Sequence, residues 1–281
     1  KKIIKVLNPD VILTYTIKPN IYGGIASRMC KSKVIHTVTG LGSVYIQDMW
    51  QKNIVIFLNR IAFSNASKIF FLNQDNEIFY KKLNIISQNH NTSVVPGSGV
   101  NLGKFKYIKL PNSQKTVFTF VGRILKDKGI EEFLSAAEIV KKDYKNVEFQ
   151  VVGLIDEKKY YELIKKHEEK GIIRYLGERN DIPEIMAASS CIVLPSYGEG
   201  RGTALQEGAA IGRPLITCDT YGCRDNVDEG YNGFLCKVGD VKSLVNAMEK
   251  FIRLSYEEKV RMGERSRIKA EKEFDRKIVI D

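Results

Sequence analysis

The chain has 281 residues, of which 43% are apolar, and it carries a net charge of +11. That length allows one large domain or two of roughly 100–150 residues each, and no apolar run reaches the roughly 20 residues that cross a bilayer. Its five cysteines are odd in number and include no C-x-x-C pair, so we expect buried, reduced thiols of a cytosolic protein. Its three histidines lack zinc-ligand spacing to these cysteines.

Residues 1–107 alternate short apolar runs with helical patterns, which indicates a parallel sheet covered by helices. The clearest helical patterns are Met49–Phe63 and Gln74–Leu83, and Asn73 is expected to cap the second of them. The predicted strands are Val11–Tyr15, Val34–Val38, Ile69–Leu72 and Ser93–Val95. Because only about four strands are visible, we expect this domain to be incomplete.

The same first part of the chain carries nearly all of the excess positive charge. Residues 1–107 contain 14 lysines and arginines against 4 acidic residues, whereas residues 108–281 contain 30 against 29. An acidic polymer, an anionic membrane surface or a phosphate-bearing substrate would each fit such an excess. Nucleic acid is disfavoured, since the sequence has no recognition motif and no aromatic residues interleaved with the basic ones.

A turn-rich break at Pro96–Asn101 and a polar stretch at Leu102–Gln114 predict a domain boundary, which we set between residues 107 and 108. A second alternating series follows, and six strands with intervening helices predict a complete Rossmann-like domain. The predicted strands are Val117–Val121, Val147–Val152, Ile172–Leu176, Cys191–Leu194, Leu215–Cys218 and Phe234–Lys237. The predicted helices are Ile130–Lys142, Glu157–Lys170, Ile182–Ala188, Thr203–Ile211, Val241–Leu254 and Tyr256–Glu273.

The most informative segment joins the strand that ends at Leu194 to the helix that begins at Thr203. Its loop contains Gly198, Gly200 and Gly202, and we expect these glycines to let a ligand approach the backbone closely. The free N–H groups and the positive dipole end of the helix suit a phosphate.

Two carboxylates flank that helix start, Glu199 on the loop and Glu207 in the second helical turn. A carboxylate accepts two hydrogen bonds from neighbouring sugar hydroxyls. Glu199 and Glu207 could therefore hold two sugars, a donor hexose and a ribose, although either alone would also fit a solvated surface acid.

Two cations follow the first strand of the second domain, in the segment Val121–Ile130. Arg123 and Lys128 are expected at the carboxyl end of a parallel strand, where such sheets bind ligands. Cations in that place could neutralise a diphosphate as it binds and as it leaves. No G-x-G-x-x-G stands there, which weakens a dinucleotide interpretation.

Taken together, these segments resemble glycosyltransferase family 4, and the resemblance covers essentially the whole chain. It rests on G-R-x-x-x-x-K-G at Gly122–Gly129 and E-x7-E at Glu199–Glu207, supported by Gly212–Pro214 and Asn232–Phe234. It implies the GT-B fold, an α/β architecture in which two Rossmann-like domains face each other across a cleft with their parallel sheets. Residues 1–107 would form the acceptor-side domain, only part of which is present, and residues 108–281 the nucleotide-sugar-binding domain.

The resemblance also implies a role for each matched residue. The catalytic residues would be Arg123 and Lys128, which bind the donor diphosphate, and Glu199, which holds donor-sugar hydroxyls, while Glu207 would bind the ribose. The other donor-binding residues would be Gly122, Leu176 near the base, and Gly202, Thr203 and Ala204 at the phosphate. No metal and no cofactor is implied, since the nucleotide sugar is a substrate.

A narrower likeness concerns bacterial enzymes that extend undecaprenyl-diphosphate-linked sugars, and it rests on Tyr15–Asn20, Thr39–Gly42, Pro96–Gly99 and Tyr221–Asp225. It implies a UDP-hexose or UDP-N-acetylhexosamine donor and a lipid-linked saccharide acceptor, with Thr39, Gly40 and Gly42 on the acceptor side. It also implies a cytoplasmic protein that binds peripherally to the anionic inner face of the membrane, with no nucleic-acid partner.

The sequence departs from the family at two places. Gly200–Thr203 replaces the Phe-Gly or Leu-Pro of many members, and Arg201 could add a phosphate or acceptor contact there. His36 is the nearest match to a catalytic-site His-Asp pair, but it lies in a predicted strand and is interpreted as a core residue.

Two alternatives stay open, a UDP-sugar epimerase built on the same double-Rossmann plan and a catalytically silent, truncated donor-binding protein. The sequence contains no D-x-D triplet, which disfavours a metal-dependent single-domain glycosyltransferase.

Overall fold

A computed structural model describes residues 1–41 and 52–280. The chain forms two compact units, one of residues 1–97 with 199–201 and the other of residues 98–198 with 202–281. Residues 98–107 belong to the second unit, where Phe105 is buried in the core and Val100 N donates to Phe274 O at 2.7 Å. The division into functional domains of residues 1–107 and 108–281 stays a prediction.

The first unit contains a four-stranded parallel sheet in the order β1-β2-β3-β4, with all four strands within one residue of their predicted positions. The strands are β1 (Val11–Tyr15), β2 (Lys33–Val38), β3 (Lys68–Phe71) and β4 (Thr92–Val94). The helices of the described part are α1 (Lys2–Leu7), α2 (Ile17–Cys30), α3 (Lys52–Phe63) and α4 (Gln74–Lys82). Residues 49–51 of the predicted Met49–Phe63 helix lie outside the described residues.

Helix α2 lies between the first two strands, where the sequence predicted helical pattern but gave no bounds, because Gly23 and Gly24 weaken that pattern. In the structure Gly24 faces α3, and a Cβ added to it would lie 2.6 Å from Ala62 O. The small residue lets the two helices approach closely, so a residue that weakens a helix in isolation serves its packing.

His36 lies in the core of the first sheet, as the sequence indicated. Its ring is fully buried and stacks on Phe63 with 4.3 Å between ring centroids. Nδ1 lies 2.6 Å from the Thr14 hydroxyl and Nε2 lies 3.3 Å from Ala62 O. Burial lowers the pKa of His36 to about 4, against which the Ala62 carbonyl acts weakly, so the ring is neutral at pH 7.

The second unit contains a six-stranded parallel sheet in the order β10-β9-β8-β5-β6-β7. All six predicted strands are present: β5 (Thr116–Val121), β6 (Val147–Val152), β7 (Arg174–Gly177), β8 (Cys191–Leu194), β9 (Leu215–Cys218) and β10 (Gly233–Cys236). The helices are α5 (Ile130–Asp143), α6 (Lys159–Glu169), α7 (Ile182–Ala188), α8 (Thr203–Ile211), α9 (Val241–Arg253), α10 (Tyr256–Lys269) and α11 (Arg276–Ile280). A π-helical turn, Ala270–Phe274, extends α10.

The strand order fixes where this sheet can bind a ligand. From β5 the chain winds outward through β6 and β7, and β8 then returns to the other side of β5. In sheets with such a reversal the adjacent helices separate, so the carboxyl ends of β5 and β8 are expected to border a ligand-binding crevice. The loops that follow these two strands carry the sequence-predicted cations and the glycine segment.

A buried arginine joins three parts of the second unit. Arg213 is fully buried and donates to the carbonyl oxygens of Met186, Ala187, Ile108, Lys109 and Gly212 at 2.8–3.4 Å. Burial lowers its pKa to about 10, which keeps it charged at pH 7. The Gly212–Pro214 segment supported the family resemblance in the sequence. In the structure its arginine stabilises the fold by bonding separate parts of the second unit to one another.

The five cysteines are free thiols, and four of them are buried. Each helix in the described ranges 1–41 and 52–280 is too short or too polar to cross a bilayer.

Candidate functional site

The loop after β5 is held by an unusually close approach of three strand ends. Gly122 N donates to Val152 O at 3.0 Å, and Gly153 N donates to Gly177 O at 2.9 Å. Gly153 has a φ of +145°, and a Cβ on it would lie 1.9 Å from Gly122 O. Only glycine fits there, so the backbone at Gly122 is fixed before any ligand binds.

Arg123 projects from this fixed backbone with a largely exposed side chain. Its Nη1 bonds to Asp156 Oδ2 at 2.9 Å, with the two side chains 65% and 31% exposed. An exposed ion pair of this kind contributes on the order of 1 kcal/mol or less. Arg123 can therefore exchange Asp156 for another anion at small cost.

Lys128 lies in a 3-10 turn, Lys126–Lys128, that is bonded to the loop after β8. Asp127 O accepts from Ser196 Oγ at 2.8 Å and from Tyr197 N at 2.9 Å. The turn ends at Gly129, whose φ is +73° and whose absent Cβ would lie 2.0 Å from Pro195 O. The structure thus brings the Lys128 turn against the strand end that precedes α8.

Close approach of a ligand to the three loop glycines stays a prediction, but protein atoms occupy the space where each of them would carry a Cβ. A Cβ on Gly198 would lie 2.2 Å from the Tyr221 ring, and one on Gly202 would lie 3.0 Å from Leu205 Cδ1. A Cβ on Gly200 would lie 1.9 Å from the carbonyl oxygen of Thr39. These glycines permit close packing of the chain on itself.

Helix α8 begins after Gly202, whose φ of +67° turns the chain into the first helical turn. The first intrahelical bonds run from Leu205 N and Gln206 N to Gly202 O, at 2.9 and 3.1 Å. The N–H groups of Thr203 and Ala204 precede these bonds and point out of the helix end. An open helix end of this kind can bind an anion, and phosphate binding at Gly202–Ala204 stays a prediction.

Glu207 is a half-buried carboxylate on α8 that makes no hydrogen bond or ion pair with the described residues. Burial raises its pKa to about 7, and the positive charge of Lys104 offsets part of that effect. A desolvated carboxylate is a strong acceptor for neutral hydroxyl donors, which fits the role expected for it.

The folded pKa of Glu207 lies above its ordinary value of 4.5, so protonation favours the folded state. This contribution to stability is complete below about pH 4.5 and is lost as the pH rises through about 7. Raising the pH from 5 to 8 should therefore lower the free energy of unfolding of the wild type by roughly 2 kcal/mol more than that of Glu207→Gln. Urea denaturation at both pH values measures this, with exposed Glu162→Gln as the control. Parallel pH profiles for the wild type and Glu207→Gln would contradict a raised pKa of Glu207 in the folded state.

Leu176 and Gly177 lie at the end of β7, two strands from β5 in the sheet. Strand spacing places them roughly 10 Å to the side of Gly122. Gly177 joins the interlocked strand ends through its bond to Gly153, and no atom lies within 4 Å of a Cβ added to it. The space beside Gly177 is therefore open, whereas Leu176 packs partly buried against the core.

Residues 199–201 belong to the first compact unit, together with the acceptor-side residues of the sequence prediction. Asn73 caps α4, as predicted, by accepting from Asn76 N at 2.8 Å. Its Nδ2 also donates to Gly200 O at 2.6 Å and to Glu199 O at 3.3 Å. Within this unit Thr39 O contacts Gly200, and a Cβ on Gly40 would lie 3.6 Å from Gly200 N. Gly42 lies outside the described residues.

Sequence reasoning missed several residues that shape the site. Asp156 pairs with Arg123 but belongs to no motif, and Gly153 follows a strand as many loop glycines do. Tyr197, inside the glycine segment, was passed over although an aromatic residue beside flexible glycines is a signal for anchoring. Among residues 1–41 and 52–280 no cluster of three or more His, Cys, Asp and Glu side chains could hold a metal ion.

Comparison with known families decides the classification. The family model described as glycosyl transferases group 1 matches residues 104–269, which is more than half of the chain. The chain is a group 1 glycosyltransferase. A second model, described as glycosyl transferase 4-like, matches residues 1–73 of this glycosyltransferase. The resemblance to family 4 that the motifs indicated is confirmed.

Two similar relatives are bacterial glycosyltransferases. An N,N'-diacetylbacillosaminyl-diphospho-undecaprenol alpha-1,3-N-acetylgalactosaminyltransferase from Campylobacter jejuni is 30% identical, with 93% of this chain and 72% of the relative covered. A UDP-Gal:alpha-D-GlcNAc-diphosphoundecaprenol alpha-1,3-galactosyltransferase from Escherichia coli is 31% identical, with 88% of this chain and 67% of the relative covered.

Solved structures confirm the GT-B fold class. HepE from Anabaena in complex with UDP and glucose has a TM-score of 0.83 at 20% identity, covering 99% of this chain and 78% of that one. Sucrose-phosphate synthase from Thermosynechococcus elongatus also has a TM-score of 0.83 at 20% identity, covering 99% and 73%. At this level of identity the likeness concerns the fold alone.

Proposed function

We propose that this glycosyltransferase moves a hexose or N-acetylhexosamine from a UDP-sugar to a lipid-diphosphate-linked saccharide, with retention of configuration at the anomeric carbon. The observation that carries the donor side is the pairing of β5 with β8, because the loops after these adjacent strands carry two cations and the open end of α8. The acceptor side is supported by the two relatives described above, whose names both specify undecaprenol-diphosphate-linked sugars.

The donor diphosphate would contact three groups on the second unit. Arg123 and Lys128 follow β5, and the N–H groups of Thr203 and Ala204 open α8 on the adjacent strand connection. Two positive side chains and a helix end suit two neighbouring phosphates. In this arrangement the exposed Arg123–Asp156 pair opens, and a phosphate oxygen replaces the carboxylate.

The sugar and nucleoside would be held by the remaining donor residues. Glu207 would accept from ribose hydroxyls and Glu199 from the hydroxyls of the transferred sugar. Leu176 and the open space at Gly177 would border the base. On the acceptor side we assign Thr39, Gly40 and Gly42.

In the transfer step the bond between the anomeric carbon and the β-phosphate oxygen breaks, and a bond to the acceptor hydroxyl oxygen forms. The hydroxyl proton moves to the leaving UDP. The protein contributes by positioning both substrates and by stabilising the charge that develops on the diphosphate, which is the role of Arg123, Lys128 and the α8 amides.

Transfer to a synthetic polyprenyl-diphosphate-linked saccharide, measured with a panel of UDP-sugars, tests the proposal. We expect UDP release and a lengthened glycan that depend on both substrates, and NMR of the product to show an α linkage when the donor is an α-linked UDP-sugar. Conversion of a UDP-sugar without acceptor would favour an epimerase. UDP binding without transfer to any lipid-linked acceptor would favour a silent donor-binding protein.

A peripheral contact with an anionic membrane surface fits the same proposal. Residues 1–97 carry 12 basic against 4 acidic side chains. Helices α2 and α3 expose the large side chains of Tyr22, Met29, Ile54 and Phe57. Basic residues combined with exposed apolar ones are typical of proteins that bind the lipid interface.

Co-sedimentation with lipid vesicles measures this contact. We expect more protein to pellet with vesicles that contain anionic lipid than with neutral vesicles, and the difference to shrink when the salt concentration is raised. Equal binding to both kinds of vesicle would contradict an electrostatic contact.

A further inference from the structure

Tyr197 makes three hydrogen bonds in the second unit, each to a different element. Its N–H donates to Asp127 O at 2.9 Å, in the turn that carries Lys128. Its carbonyl oxygen accepts from Thr220 Oγ1 at 3.3 Å, in the loop after β9. Its hydroxyl donates to Glu132 Oε1 at 2.7 Å, in the first turn of α5.

Glu132 binds the Tyr197 phenol through one oxygen only. In the part of the chain that the structure describes, its other oxygen, Oε2, is buried and has no hydrogen-bond partner. The amino end of α5 favours a negative charge there. Loss of the phenol would therefore leave this half-buried carboxylate, one of whose oxygens is fully buried, without its hydrogen bond, which costs more than losing an ordinary exposed bond.

The Tyr197 hydroxyl remains protonated and can therefore always donate its hydrogen bond to Glu132. Burial raises the pKa of Tyr197, and the negative charge of Glu132 raises it further, so the phenol keeps its proton at physiological pH. The ring also lies close to Gly239, where an added Cβ would approach the phenol oxygen at 3.3 Å. The side chain is thus fixed at both its backbone and its tip.

These contacts enclose the Lys128 turn. Residues 126–128 and the first turn of α5 are joined through Gly129, so Tyr197 bonds the same segment at Asp127 before Lys128 and at Glu132 after it. Resting on the proposed function, we propose that Tyr197 and Glu132 are positioning residues that set Lys128 and the loop after β8 at the separation which a nucleoside diphosphate requires. They act through Lys128 and are not expected to touch the substrate.

The same helix turn provides a matched control. Tyr160, on α6, donates from its hydroxyl to Glu131 Oε1, also at 2.7 Å. Tyr160→Phe removes an equivalent phenol–carboxylate hydrogen bond, from Glu131, which is the neighbour of Glu132 in the chain. Unlike the Tyr197 bond, this bond does not connect α5 to the loop after β8.

Titration of the full chain with UDP and, separately, with uridine tests the inference by ligand-observed NMR, together with melting temperatures. Tyr197→Phe should weaken UDP binding roughly tenfold and leave uridine binding within about twofold, because the loss concerns the diphosphate. Tyr160→Phe should lower the melting temperature at least as much and leave UDP affinity unchanged. Glu132→Ala should match Tyr197→Phe, and the double variant should lose no more than either single variant.

The inference is overturned if Tyr197→Phe binds UDP like the wild type, if it loses uridine affinity to the same degree, or if Tyr160→Phe loses UDP affinity equally. Additive losses in the double variant would also overturn it. Wild-type protein that fails to bind UDP would instead overturn the proposed function, so the two failures are distinguishable.

Discussion

Replacing Arg123 or Lys128 by alanine is expected to lower the rate of sugar transfer by roughly two to three orders of magnitude, with little change in folding. A protein hydrogen-bond donor that stabilises a developing negative charge inside an active site raises the rate by about that factor. Arg123 is 65% exposed, and its pair with Asp156 contributes little to stability. Steady-state transfer assays and melting curves of the purified variants measure both effects.

Lys126→Ala is the matched control for this prediction, because Lys126 lies in the same 3-10 turn but is exposed. It removes one positive charge from the turn without removing a proposed diphosphate contact. If Arg123→Ala and Lys128→Ala both retain rates near that of Lys126→Ala, the diphosphate assignment is wrong.

Arg213→Ala should destabilise the protein by about 3–5 kcal/mol, because a buried guanidinium that satisfies several carbonyl oxygens would be replaced by a cavity. Arg213→Lys should recover little of this loss, since an ammonium group cannot reach the acceptors on α7, at Gly212 and at residues 108–109 together. Urea denaturation measures the free energy of unfolding of both variants.

Arg179→Ala is the comparison for Arg213. Arg179 pairs with Asp181 at the surface, where the two side chains are 47% and 43% exposed, and its removal should leave the melting temperature unchanged. A melting temperature for Arg213→Ala close to that of Arg179→Ala would show that the buried network contributes little to stability.

The sheets were predictable from the sequence because buried parallel strands are short apolar runs, and each predicted run became a strand. The bounds of helix α2 were not predictable in the same way. Its glycines weaken the local helical pattern, and the reason for them, the close contact of Gly24 with Ala62, lies 38 positions along the chain. Long-range packing of this kind leaves no periodic signal.

In the candidate site, too, the features set by local sequence were predictable and those set by long-range packing were not. The positions of Arg123 and Lys128 after a strand were predictable from the order of apolar and polar residues. What occupies the space beside Gly198 and Gly200 was not, because a glycine indicates close approach without indicating whether a ligand or the chain itself approaches. The Tyr221 ring and the Thr39 carbonyl supply that answer only in three dimensions.

All donor contacts proposed for the second unit leave its sheet at the carboxyl ends of the strands, so the turns at the opposite edge are not needed for them. The turn 144–146, between α5 and β6, is one of these and exposes Lys145. A tether or dye attached through that turn would leave the crevice accessible. Immobilised enzyme and single-molecule measurements of donor binding could both use this attachment point.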